Sequence, residues 1–242
     1  MHPFLSFLPL LPIAAAHFTL DWPASRGFDE DKMPTFPCGG FDTPSSNRTT
    51  IALNANAIPV DITFHHSQTA VSYLLALGSD PGSSFNITLE PTLGAHGLGE
   101  FCLPSIPLDS KTLGTSLHDG QNATLQVVTD GDSGGGLYAC ADIIFSSKIT
   151  SNTPSSCKNN TGVGATPFSG SAATRIANES NANGDAQSGA STSGAASVTN
   201  TASTATASSS SSSSTSSGIA APLQTAGWGV LGAAVIGGLA IL

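Results

Sequence analysis

Every lysine, arginine, aspartate and glutamate of this 242-residue chain lies between Asp21 and Asp185. A globular surface needs such side chains to stay in water, so the folded part belongs to the middle and the uncharged ends need another explanation. The middle is long enough for one hydrophobic core and too short for two. Its balance is acidic, with 7 Lys and Arg against 16 Asp and Glu and a formal net charge of -9. Nucleic-acid binding is excluded by that balance, because phosphates are met by clustered cations. No glycine fingerprint follows a strand and opens a helix, which also excludes Rossmann and P-loop nucleotide chemistry.

The two ends read as addresses. Phe4 to Ala16 is an apolar run closing on Ala14-Ala15-Ala16, the pattern of a secretory signal with a small-residue cleavage site. It is shorter than the roughly 20 apolar residues that span a bilayer. Cleavage is expected between Ala16 and His17. At the other end Ala226 to Leu242 is apolar and uncharged, preceded by a short spacer and the small residues Ser216-Ser217-Gly218. That order predicts a GPI anchor attached at Ser216 or Ser217. The alternative, a transmembrane anchor, would carry Lys or Arg on its cytoplasmic side. Residues 158–217 are mostly Ser, Thr, Ala, Gly and Asn, with a serine run from Ser208 to Ser214. So little apolar surface predicts a disordered, O-glycosylated stalk. The expected layout is a signal peptide at 1–16, a domain at 17–157, a stalk at 158–217 and a GPI-attachment propeptide at 218–242. It places the protein on the outer face of the plasma membrane, within a cell wall.

The domain carries Cys38, Cys102, Cys140 and Cys157. Four cysteines behind a secretory signal predict two disulfides, with three connectivities open. Sequons at Asn47, Asn86, Asn122, Asn159 and Asn178 mark candidate N-glycans. Period-two alternation runs through His17 to Trp22, Val60 to Phe64 and Phe85 to Leu89, with further apolar runs at Thr69 to Leu77, Ala123 to Val128 and Leu137 to Phe145. Turn clusters such as Ser79-Asp80-Pro81-Gly82 separate them. Short strands between turns, without long helical periodicity, predict an all-β sandwich.

Cleavage after Ala16 would make His17 the mature N-terminus. An N-terminal histidine offers its α-amine and one imidazole nitrogen as a compact chelate, and the amine loses its proton near neutral pH. A second imidazole would complete a planar three-nitrogen set, the geometry that favours Cu(II). The doublet His65-His66 closes a strand, where successive side chains point to opposite faces, so one of the two is expected to face the site. Asp29-Glu30-Asp31 reads as a solvated surface. No Gly-x-Ser-x-Gly elbow leading from a strand into a helix is present: the one match, Gly131 to Gly135, lies in a turn cluster between two strand runs. His118 and His96 read as peripheral.

The segments HFTLDWP at His17 to Pro23, PCGG at Pro37 to Gly40 and HHSQTAVSYLLALGSDPG at His65 to Gly82 occur in that order. DGQNATLQVV at Asp119 to Val128 and GGLYACADIIF at Gly135 to Phe145 follow. Together they resemble the fungal LPMO-like (X325-type) copper-binding proteins, the Bim-type copper acquisition family. The resemblance implies an immunoglobulin/fibronectin-like β-sandwich holding one Cu(II) in a histidine brace, with an aspartate near the apical position. Carried over residue by residue, it implies His17, His66 ahead of His65, and Asp142 ahead of Asp132. It also implies a non-enzymatic, monomeric protein of the fungal surface that passes copper to an uptake system or acts on the cell wall. A copper-dependent polysaccharide monooxygenase is the alternative, and a structural wall mannoprotein the third reading. An enzyme of that kind would show a flat aromatic face near the brace, whereas Trp22, Tyr73 and Tyr138 are the Trp and Tyr residues of the whole domain.

Overall fold

The computed structural model describes residues 17–150 and 153–187. Strand β1 (Phe18–Trp22) buries Phe18 and Leu20 and turns Thr19 and Asp21 outward, as its alternation requires. It is followed by β2 (Thr49–Ala52), β3 (Ala57–Phe64), β4 (Gln68–Leu77), β5 (Ile87–Thr88), β6 (Leu93–His96) and β7 (Gly99–Pro107). After the single-turn helix α1 (Ser110–Leu113) come β8 (Asn122–Asp130), β9 (Gly136–Ser146), β10 (Gly164–Pro167) and a second short helix, α2 (Ser171–Thr174).

These strands build the expected sandwich. One sheet has the order β1-β3-β7, and the other β10-β6-β4-β8-β9-β2, with β5 beside β4. The inner faces share one core, in which Phe18, Ile62, Phe64 and Phe101 of the small sheet meet Val71, Tyr73, Leu125 and Ile143 of the large one. Each such side chain contributes on the order of 1.5–3 kcal/mol by leaving water. β7 was invisible to alternation because Pro104 and Pro107 interrupt it. It lies at a sheet edge, where a residue without an N–H leaves no ladder bond unmade.

The disulfides are Cys38–Cys140 and Cys102–Cys157, each with Cα atoms 5.1 Å apart. The first ties the loop after β1 to β9, and the PCGG motif explains how the loop gets so close. Gly39 has φ +63°, and a Cβ there would stand 2.5 Å from the carbonyl oxygen of Tyr138, so only glycine fits.

The domain does not stop at Cys157. Residues 163–187 were expected to begin the stalk, yet they form β10 on the edge of β6, α2, and a 3-10 turn at Ala177–Glu179. Phe168, Ile176 and Ala177 cover Ala70, Leu74, Val128 and Tyr138 on the outer face of the large sheet. A buried relay fastens the segment: the Ala177 N–H donates to Ser72 Oγ (2.9 Å), Ser72 bonds Thr92 (2.7 Å), and Thr92 Oγ1 donates to the Arg175 carbonyl (2.6 Å). Few apolar residues suffice because they complete a surface that already exists. It also explains why Thr69 to Leu77 is apolar on both faces. The signal peptide, the remaining stalk from 188, Ser216, Ser217 and the propeptide lie outside the described residues.

Candidate metal centre

The site follows from one register. Antiparallel β1 and β3 pair Phe18 with Phe64, both in the core. Their neighbours His17 and His65 therefore stand opposite each other on the outer face, tied by a backbone bond from the His65 N–H to the His17 carbonyl (3.1 Å). The two imidazoles stack with centroids 4.3 Å apart and planes at 21°. A slip of one residue in either strand would bury its histidine and expose its phenylalanine, so core packing fixes the histidine pair.

Glu30 completes this corner, its Oε1 lying 3.3 Å from His17 Nδ1. Sequence reasoning placed Glu30 among solvated acids; the loop after β1 folds it back onto the strand it follows. The signal was available in the acidic triplet, but nothing local said which acid would return. Asp29 pairs with Lys32 instead (2.7 Å), which holds its carboxyl below the usual range. The exposed Phe28 ring borders His17, at 6.1 Å between centroids. Partial burial, then the neighbouring His17, hold His65 below the ordinary histidine range, toward the neutral imidazole whose lone pair can bind a metal.

His66 faces elsewhere. Its Nδ1 meets the Gln68 carbonyl at 2.9 Å, and its Nε2 lies 3.5 Å from Asp132 in the β8–β9 turn. The structure thus brings His65 to His17 and Asp132 to His66. The resemblance favoured His66 as the second ligand; in the structure His65 stands beside His17 and His66 beside Asp132.

Asp142 is engaged by cations and hydrogen-bond donors in the manner of a structural anion. Its oxygens receive Arg26 Nε and Nη2 (2.8 Å each), the Ser45 N–H (2.6 Å) and Thr124 Oγ1 (2.7 Å). Burial pushes this carboxyl up, but those donors together outweigh it and hold it below the usual range. A carboxylate whose lone pairs are all occupied has none to give a metal. His118 is exposed in the loop before β8, with Nδ1 3.2 Å from the Asp119 carbonyl, and His96 is exposed on β6.

Among the described residues, no three His, Cys, Asp or Glu side chains converge closely enough to enclose a metal ion. The donor types at His17 and His65 nevertheless suit a tetragonal nitrogen site, with Glu30 as an available oxygen. In the unprocessed chain the His17 nitrogen is bonded to Ala16, so its amine becomes a donor only after cleavage.

The description of the copper acquisition factor BIM1-like family matches residues 15–162. The chain belongs to that family. An uncharacterized Aspergillus fumigatus protein is 61% identical over 235 residues, covering 97% of each chain. The lytic polysaccharide monooxygenase-like protein X325 of Yarrowia lipolytica is 30% identical over 190 residues, 75% of this chain and 69% of its own. Copper acquisition factor BIM1 of Cryptococcus neoformans var. grubii is 36% identical over 138 residues, 54% of this chain and 61% of its own. For this BIM1-like chain the match begins two residues before His17 and ends just before the segment that caps the large sheet.

Proposed function

We propose that the mature protein begins at His17 and holds one Cu(II) through the His17 amine and imidazole together with the His65 imidazole, as a copper-acquisition protein of the fungal cell surface. The observation that carries this reading is the contact between the His17 and His65 rings on the strand pair that fixes the N-terminus. Membership of the copper acquisition factor family supports the choice of metal. Copper is the cargo: capture needs accessible donors, and His17 and His65 lie on the outer face of a three-stranded sheet. Glu30 beside His17 supplies an anionic oxygen, which stabilises Cu(II) over Cu(I) and suits holding copper more than activating oxygen. The signal and the GPI anchor would present the site at the cell surface, where the ion passes to an uptake system.

N-terminal sequencing and competitive copper titration of the secreted protein test the proposal together. It requires His17 at the N-terminus and one tight Cu(II) per chain. A different N-terminus, or no binding, overturns it.

The name of the Yarrowia relative motivates a second reading, a copper-dependent monooxygenase acting on wall glycans. Against it, Tyr73 and Tyr138 are buried and Trp22 is half-buried, so the exposed ring beside His17 is Phe28, which has no polar atom to bond a sugar hydroxyl. Oxidised oligosaccharides released from wall polysaccharide by the reduced, copper-loaded protein would favour the enzyme.

A further inference from the structure

The β8–β9 turn has the sequence Gly131-Asp132-Ser133-Gly134-Gly135, with φ +86° at Gly134 and +78° at Gly135. Three glycines in five residues give a turn little stiffness of its own. It is nevertheless held from outside. The Gln187 carboxamide accepts a hydrogen bond from the Gly135 N–H and donates one to the Gly135 carbonyl at 3.1 Å, as a neighbouring strand would. The same amide nitrogen donates to the Ser180 carbonyl, and the Gln187 N–H donates to the Glu179 carbonyl at 2.9 Å. Gln187 is therefore fixed to the 3-10 turn, which the Ser72–Thr92 relay fastens to the large sheet. Asp132, three residues before Gly135, reaches His66, the residue that follows His65.

We propose that Gln187 is a positioning residue of the copper site: it fixes the 131–135 turn so that Asp132 holds His66, and with it the orientation of the His65-His66 doublet toward His17. The inference rests on the copper reading above and adds to it a residue beyond the matched span of 15–162. The capping segment becomes part of the binding device, in the way that partners behind a metal ligand set its orientation. Removing such a partner costs roughly ten- to a hundredfold in metal affinity.

The test compares wild type, Gln187→Ala, Asp132→Ala and the double variant, each secreted and processed from the full chain, with Cu(II) alone as the probe. Copper affinity is measured by chelator competition, and hydrogen exchange at Gly131 to Gly135 is followed in the copper-free proteins. Gln187→Ala should weaken Cu(II) binding about tenfold, with faster exchange in the turn and the melting temperature of the core nearly kept. Asp132→Ala should give a similar loss, and the double variant no further loss, because both act through one contact. Wild-type binding retained by Gln187→Ala, or additive losses in the double variant, overturns the positioning role while leaving the copper reading intact. Failure of the wild type itself to bind Cu(II) overturns both.

Discussion

The His17 and His65 imidazoles lie 4.3 Å apart on neighbouring antiparallel strands, and their register is set by Phe18 and Phe64 on the buried face. A surface feature that would tolerate drift is thereby pinned by the core.

His65→Ala removes a nitrogen donor in this account, whereas His66→Ala removes a side chain that faces Asp132. The first substitution should weaken Cu(II) binding more than about a hundredfold, and the second by about tenfold, the scale of a supporting residue. Chelator-competition titrations of the two variants separate them. Equal losses, or the reverse order, would return His66 to the ligand position.

Asp142→Asn distinguishes a ligand from a structural anion. With Arg26 left buried against a neutral amide, stability should fall by about 3–5 kcal/mol in urea unfolding, while the folded fraction still binds copper. Arg26→Met should do comparable damage by stranding the carboxylate. Loss of copper binding with unchanged stability would mean that Asp142 reaches the metal.

The strands were legible where polar and apolar residues alternate: β1 turns Thr19 and Asp21 outward, whereas β3 alternates in sequence although Asp61 is buried with its apolar neighbours. β7 was hidden by prolines that an edge strand tolerates, and β10 by a composition that resembles a linker. Of the proposed site, His17 was legible because the apolar run that reads as a secretory signal closes at Ala16, just before it. The partner was legible only as the doublet, since choosing His65 requires the β1–β3 register, a long-range fact. Glu30 and the engagement of Asp142 by Arg26 depend on how loops return to the sheets, over 116 residues of separation in the second case.

Asp61 supplies a pH dependence. Its side chain is buried on β3, with Oδ1 lacking a partner and Oδ2 receiving Ser156 at 3.1 Å. Burial raises this carboxyl above its ordinary value, Ser156 lowers it, and the charges of Asp21 and Glu100 raise it further. An acid raised in the folded state keeps its proton longer there than in the unfolded chain. Its contribution to stability is therefore present in acid and declines as pH rises from about 3.9 toward the folded value. Urea unfolding across that interval should show a decline in wild type that Asp61→Asn flattens; parallel profiles would show that Asp61 ionises freely.

Glycan occupancy should follow exposure. Asn47, Asn86 and Asn159 are exposed, and Asn159 turns its Oδ1 onto the Cys102 N–H at 2.8 Å. Asn122 and Asn178 have their Oδ1 atoms buried, and Asn178 bonds Tyr138. Glycopeptide mapping of the secreted protein should find the first three sites occupied and Asn178 bare. A glycan on Asn178 would require the 3-10 turn to leave the sheet.

The most direct test is electron paramagnetic resonance of the secreted protein loaded with one equivalent of Cu(II), beside a variant carrying one extra residue between Ala16 and His17 that is retained after processing. The account predicts an axial spectrum with hyperfine structure from three nitrogens for the native N-terminus, and its loss in the extended protein, whose histidine no longer carries the amine. The same spectrum from both proteins, or no bound copper in either, would contradict it.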